Sequence, residues 1–264
     1  MRFTVLTPTY NRAHTLGSVY QALCAQTFRD FEWIIADDGS TDGTRELVAS
    51  WNPFFPIRYF WQPNRGKHTA MNLGVSHAAG EFVLFFDSDD RCIPTALERF
   101  DFHWRQIPDP TRFANLSCLC RTPEGTIVGG PYPADCIDAY NFADQLRYRS
   151  AERWGINRTD VLREYPWPED ERYAPESLVW NRISRRYAAR FVNEALRIYE
   201  ANTSGISATV TRLRIASPKT TRLYYRELAL SPAPVALRLR GTLNYFRFAA
   251  IDIARKLSPR RRAT

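Results

Sequence analysis

Two acidic clusters each follow an apolar run directly: Asp37-Asp-Gly-Ser-Thr-Asp42 after Phe31–Ala36, and Asp87-Ser-Asp-Asp90 after Glu81–Phe86. In an extended backbone alternate side chains share a face, so Asp87 and Asp89 can point together. Crowded carboxylates cost energy unless a cation or hydrogen-bond donors offset it. Two aspartates so placed suit a hard divalent cation. Mg²⁺ and Mn²⁺ take oxygen ligands, keep waters and accept substrate phosphates as further ligands. A metal-bridged diphosphate is then the natural third party. Asn64-Arg-Gly-Lys67, after a third apolar run, could supply donors to the same anion. Each cluster also has a plain reading as a turn and the N-cap of the next helix, and Asp42 suits local capping.

The elements that must position these groups can be read from periodicity. Phe3–Thr7, Phe31–Ala36, Ile57–Trp61 and Glu81–Phe86 read as buried strands. His14–Gln26, Asp42–Trp51, Lys67–His77 and Pro94–Gln106 read as helices between and after them, with Ser40 or Thr41 as N-cap of the second. Strand and helix alternating with short connections predict βαβ units and a mostly parallel sheet flanked by helices. In such sheets ligands bind at the carboxyl ends of the strands, where both acidic clusters fall. Beyond this, 113–130 reads as β with turns, 131–144 as loop, Glu176–Tyr187 as a helix and Arg190–Tyr199 as a strand pair.

The chain has 264 residues, 44% hydrophobic and 24% charged, which excludes a disordered or low-complexity protein. The longest clean apolar run, Phe82–Phe86, is far short of the ~20 residues of a membrane span. Arg2 leads straight into a strand-like run, so no secretory leader is expected. Five cysteines at irregular spacing point to reduced thiols and a cytoplasmic setting. Cys118 and Cys120 alternate on a strand without partner ligands for zinc, and His68 and His77 read as helix residues rather than metal ligands. Trp154, Trp167 and Trp180 are expected mostly in the core.

The net charge of +8 is uneven: residues 1–210 carry 23 Lys and Arg against 26 Asp and Glu, residues 211–264 carry 13 against 2. After Ser231-Pro-Ala-Pro234, the residues Val235, Leu239, Leu243, Phe246, Ala250, Ile253 and Leu257 form one apolar helical stripe flanked by arginines, and Arg260–Arg262 follow. This fits a peripheral helix on the inner face of an anionic membrane. A helix packed on the remaining chain or on a second subunit is the alternative. A nucleic-acid arm is not expected, because no recognition module accompanies it. The expected division is a catalytic unit over 1–217, with halves of about 1–110 and 111–217, and a basic helical appendage over 218–264.

Phe3–Arg12, Phe31–Asp42 and Phe85–Asp90, in this order and spacing, resemble family 2 glycosyltransferases of the GT-A fold over about residues 3–200. Ala174–Ile183 resembles the acceptor-side block of bacterial members that build surface polysaccharides. The resemblance implies a Rossmann-like α/β fold. It places Pro8, Thr9, Tyr10 and Asn11 at the nucleotide, with Tyr10 near a uracil ring. Asp38 would accept a hydrogen bond from the base, with Asp37 beside it. Asp87 and Asp89 match the DxD motif. Asp89 would ligate Mn²⁺ or Mg²⁺, Asp87 would contact ribose or a metal-bound water, and Ser88 and Lys67 would join the nucleotide contacts. Glu176 stands where the family puts its catalytic base; where many members carry Asp next, this chain has Ser177.

The implied reaction is inverting transfer of a sugar from a UDP-type donor to a hydroxyl of a glycan or lipid-linked acceptor. A divalent metal stabilises the leaving diphosphate and one carboxylate takes the acceptor's proton. Two other readings are a sugar-phosphate nucleotidyltransferase and a non-catalytic nucleotide-sugar or glycan-binding protein. The first usually wants a Gly-rich basic loop after the first strand, where this chain has Thr7-Pro-Thr-Tyr-Asn11.

Overall fold

A computed structural model describes residues 1–199 and 206–257. The chain runs β1 (Phe3–Thr9), α1 (Ala13–Cys24), β2 (Phe31–Asp37), α2 (Thr44–Ala49), β3 (Ile57–Trp61), α3 (Lys67–His77), β4 (Phe82–Phe85), β5 (Arg91–Cys92), α4 (Ala96–Arg105), β6 (Phe113–Arg121), β7 (Cys136–Ala139), α5 (Phe142–Tyr148), β8 (Arg153–Arg158), α6 (Thr159–Glu164), α7 (Glu176–Ile183) and β9 (Ala188–Ile198). Three helices follow: α8 (Ile206–Ala216), α9 (Pro218–Ala229) and α10 (Val235–Leu257).

Among the described residues nine strands form one sheet, ordered β3-β2-β1-β4-β8-β6-β9-β5, with β7 also on β9. The first four strands pair in parallel, as their alternation with helices requires. From β4 onward the sheet is mixed: β8 lies antiparallel between β4 and β6, and β9 returns parallel to β6. The expected strand pair at 190–199 is instead one continuous strand, β9, long enough to hold β6 on one side and β7 and β5 on the other.

Alternation decides which face each strand residue serves. Phe3, Val5, Trp33, Ile35, Phe82 and Leu84 face α1 and α4, packing on Leu16, Val19, Leu97 and Phe100. Leu6, Ile34, Ala36 and Val83 face the other layer, with Met71 and Val75 of α3, Val161 of α6 and Val179 of α7. Both faces of β1 and β2 are buried, which is why these strands read as unbroken apolar runs. Polar intruders are paired: Thr4 Oγ1 donates to Glu32 Oε1 at 2.7 Å, and Arg58 donates to Glu32 Oε2 at 3.0 Å.

Register sets the rim. Thr9 pairs with Asp37, Asp37 with Trp61 and Leu6 with Phe85, so β1–β4 all release their chain at one edge.

The basic appendage is docked. Arg182 of α7 pairs with Glu227 of α9 at 2.7 Å, and Thr220 N donates to Glu171 at 2.8 Å. α10 folds back on α9. Gly241 makes this close crossing possible, since a Cβ there would stand 2.8 Å from Ala229 N. Tyr225, Leu228 and Phe248 close a small core with Phe142 of α5. Among the described residues, no helix is long and apolar enough to cross a membrane.

Candidate active site

At the rim, the loops after β1 and β2 are laced together. Asn11 takes a left-handed φ of 52°. Its N–H donates to Ser40 Oγ at 2.8 Å and its Oδ1 accepts from Thr41 N at 2.8 Å. Asp37 is fully buried, accepts from Ser40 N at 2.8 Å and from the Tyr59 hydroxyl. Burial and the neighbouring Asp37 carboxylate push the Tyr59 pKa well above its ordinary value. Asp42 accepts from Ala13 N at 3.0 Å and from Thr44 N at 3.2 Å. α2 therefore starts at Thr44 with Asp42 as its local acceptor, not with a Ser40 or Thr41 cap. Asn11 and Asp37, both expected at the nucleotide, shape the loops and do not line the cavity.

Asp38 does line it. Its Oδ1 accepts from Gln62 Nε2 at 2.7 Å and Arg65 N at 2.9 Å, and its Oδ2 from Gly66 N at 2.7 Å. One carboxylate thus pins the turn that opens α3. Gly66 holds φ 112°, and a Cβ there would meet Arg172 O at 2.2 Å, so the position admits only glycine without strain.

Lys67 follows as the first residue of α3. Its Nζ stands 2.8 Å from Asp87 Oδ1 and 3.0 Å from Glu176 Oε1. Burial opposes the charge on Lys67, but the two carboxylates outweigh it and raise its pKa well above the ordinary range. Burial likewise opposes ionisation of Asp87, and the Lys67 ammonium holds that carboxyl below its usual value. Glu176 reaches the pair because Pro175, at φ −59° and ψ 125°, turns the chain into α7 immediately before it.

Behind Asp87 lies a residue the sequence did not single out. Arg197 of β9 reaches Asp90 Oδ1 at 2.5 Å and Glu152 Oε1 at 2.9 Å. Asp90 Oδ2 in turn accepts from Asp87 N at 3.1 Å, so the acidic turn is braced from the far half of the chain. Burial pushes the Asp90 carboxyl up to about 7, while Arg197 stays protonated.

These groups face one cavity of about 670 Å³. Pro8, Thr9, Tyr10, Asp38, Lys67, Asp87, Ser88, Asp89 and Glu176, all singled out from the sequence, line it together. Arg12, Arg172 and Arg214 join them, so cations line the same cavity as the acidic turn. Arg214 comes from α8, which shows that the region after β9 contributes wall to the site. The buried Thr9 Oγ1, His68 Nε2, Arg197 Nε and Arg214 Nε have no partner among the described residues, and all four residues line this cavity. Unsatisfied buried polar atoms are costly, and their concentration here marks a place for a polar ligand. His68 is buried with its pKa lowered by that burial, whereas His77 is exposed and stacks on Phe60. Cys118 and Cys120 are buried thiols with raised pKa values, again from burial. Trp154 and Trp167 are in the core and Trp180 is half-buried, as expected.

A family model described as Glycosyl transferase family 2 matches residues 4–109. An uncharacterised glycosyltransferase of Rickettsia felis is 39% identical over 89 residues, covering 34% of this chain and 15% of that protein. The chain spans about a third or less of the length of such curated relatives. Among solved structures, S. aureus TarS 1–349 in complex with UDP-GlcNAc superposes with a TM-score of 0.70 at 20% identity, over 96% of this chain and 73% of that one. The mannosyltransferase PcManGT of Pyrobaculum calidifontis, in complex with GDP-Man and Mn²⁺, gives 0.63 at 20% identity, over 97% and 75%. The fold is therefore that of GT-A glycosyltransferases.

Proposed function

We propose, from the match of residues 4–109 to the model described as Glycosyl transferase family 2, that the protein is an inverting glycosyltransferase using a nucleotide-diphosphate sugar, probed first with UDP-sugars. The observation that carries this is the convergence of Asp38, Asp87, Asp89, Lys67 and Glu176 on one cavity at the carboxyl ends of parallel strands.

The donor set around Asp87 suits Mn²⁺ or Mg²⁺. It is all oxygen, and among the described residues no group of three or more His, Cys, Asp or Glu could hold an ion alone. Asp89 and Asp87 would hold the cation, with diphosphate oxygens and waters completing its shell. Bound there, it would supply Lewis-acid stabilisation of the departing diphosphate. Lys67, Arg12 and Arg214 add positive charge at the same anion. Pro8, Thr9 and Tyr10 form the wall for the base, with Asp38 at its edge and Ser88 beside the diphosphate. The Glu176 carboxylate takes the proton from the acceptor hydroxyl while that oxygen bonds to the anomeric carbon and the carbon–diphosphate bond breaks. A single displacement from the opposite face inverts that carbon, the logic that separates inverting from retaining glycosidases.

The acceptor is a glycan or a lipid-linked glycan, and α10 supports the second. Val235, Leu239, Leu243, Phe246 and Ile253 are each more than half exposed. They fall within about 80° of helical arc, with Arg240 and Arg247 on one flank and Arg238 on the other. Apolar side chains between arginines complement an anionic lipid surface, so this face would hold a cytoplasmic protein peripherally against the inner leaflet. The opposite face of the same helix packs on α9, which leaves the apolar stripe free for the proposed membrane contact. Arg260–Arg262 lie outside the described residues.

A panel of UDP- and GDP-sugars, with glycan and lipid-linked acceptors and each metal, tests the function. Release of nucleoside diphosphate dependent on metal and acceptor is expected. Absence of UDP and GDP binding in calorimetry would refute it.

A further inference from the structure

A second cavity of about 270 Å³ adjoins the first and shares Lys67, Asp87, Asp90, Glu152, Glu176 and Arg197 with it. It therefore opens from the point where sugar and acceptor would meet. Beyond the shared residues its lining includes Asn115, Gln145, Arg149, Asn157, Trp180 and Ser184. This mixture of amide groups, a hydroxyl and an indole suits a sugar ring, with polar edges for hydroxyls and an apolar face.

Four carboxylates line the recess and two cations answer them, Lys67 for Asp87 and Glu176 and Arg197 for Asp90 and Glu152; Arg149 adds a cation that pairs with none of them. It caps the C-terminus of α5, where Nε donates to Gln145 O at 3.3 Å and Nη2 donates to Ser184 Oγ at 2.9 Å. Among the described residues no carboxylate lies within ion-pair distance of it, and none accepts from its Nη1. The buried guanidinium groups elsewhere are paired: Arg190 with Asp138 at 2.7 Å and Arg197 with Asp90 at 2.5 Å. Arg153, in the same recess, spends its N–H groups on the backbone carbonyls of Tyr148, Val128, Glu152 and Gly130. A largely desolvated cation without a counter-ion is costly, and burial draws the Arg149 pKa down to about 10.

We propose that this recess binds an acidic sugar, a pyranose whose carboxylate pairs with the Arg149 guanidinium. One cation with a donor to spare matches the single charge of a carboxylate, whereas a phosphate at −1.5 to −2 would be only partly neutralised. The planar fork of arginine also fits a carboxylate in two-point contact. The proposal rests on the nucleotide-sugar reading of the larger cavity, and the acid can enter on the donor or on the acceptor.

The test compares wild type with Arg149→Met and Arg149→Lys. Calorimetry with Mn²⁺ measures UDP, UDP-glucose and UDP-glucuronate. Ligand-observed NMR measures methyl glucuronide against methyl glucoside, with and without UDP. For a donor acid, UDP-glucuronate should bind about tenfold or more tighter than UDP-glucose, the scale of a charged hydrogen bond. For an acceptor acid, methyl glucuronide should bind and methyl glucoside should not. In either case Arg149→Met should erase the preference, Arg149→Lys should restore part of it, and UDP affinity should not change. Equal binding of acid and neutral forms in both arms overturns the proposal, as does a preference that survives in Arg149→Met. If UDP does not bind at all, the nucleotide reading fails instead, and the methyl glucuronide arm without UDP still decides the recess.

Discussion

The Glu176 carboxylate stands 3.0 Å from the Lys67 ammonium. That ammonium is also 2.8 Å from Asp87, so one cation joins the proposed proton acceptor to the proposed metal ligand. An entering diphosphate would compete for the same cation. Lys67→Met should weaken UDP-sugar binding by about 10–100-fold, the range of a charged hydrogen bond. Calorimetry of UDP against UDP-sugar checks this; unchanged affinity would place the diphosphate away from α3.

Glu176→Gln keeps the shape of the α7 N-terminus and removes the proton acceptor. Transfer should fall by about 10²–10⁴-fold. Donor affinity should stay within about threefold of wild type, a difference of under 1 kcal/mol. Near-normal turnover would move the base elsewhere.

Asp89 is exposed at the cavity mouth, whereas Asp90 is buried. Asp89→Asn should therefore leave the fold intact while raising the Mn²⁺ concentration needed for half-maximal UDP-sugar binding by about 10–100-fold, the scale of disturbing a metal site. A metal titration that overlays wild type would remove Asp89 from the ligand set.

Gly66→Ala places a Cβ against Arg172 O in a left-handed backbone. The strain should cost about 1–3 kcal/mol in denaturant unfolding. Because Gly66 N is one of three donors to Asp38, nucleotide binding should weaken as well. Wild-type stability would show that the turn relaxes freely.

The 264-residue chain should float with anionic vesicles and less so at high salt. Leu243→Glu with Phe246→Glu should abolish flotation while enzyme activity on a soluble acceptor persists. These changes are preferable to truncation after residue 217, since α9 is pinned to α7 through Glu227. Flotation unaltered by the double substitution would remove the α10 face from membrane attachment.

The donor half was legible because β1, β2 and β4 are buried on both faces and each acidic loop closes an apolar run; α3 has the expected bounds, Lys67–His77. The acceptor half was less so. β8 reads Arg-Trp-Gly-Ile-Asn-Arg, and its polarity hides a central strand whose Asn157 pairs with Asn115 at 3.0 Å. β5 has only two residues and no period to detect. Arg197 was invisible because its partner Asp90 lies 107 positions away. The apolar stripe of α10 was visible, but its solvent-facing direction depends on the opposite face meeting α9.

The change from parallel to mixed pairing at β4–β8 has an evolutionary corollary. The family match ends at residue 109, whereas β6, α5, β8 and α7, which wall the smaller recess, all come later. On the proposed reading, Asp38, Lys67 and the acidic turn of the nucleotide site come from the matched stretch, whereas Arg149 and most of the recess around it come from the later one. Substitutions at Arg149 would then retune which sugar is admitted without touching the loops that follow β1, β2 and β4.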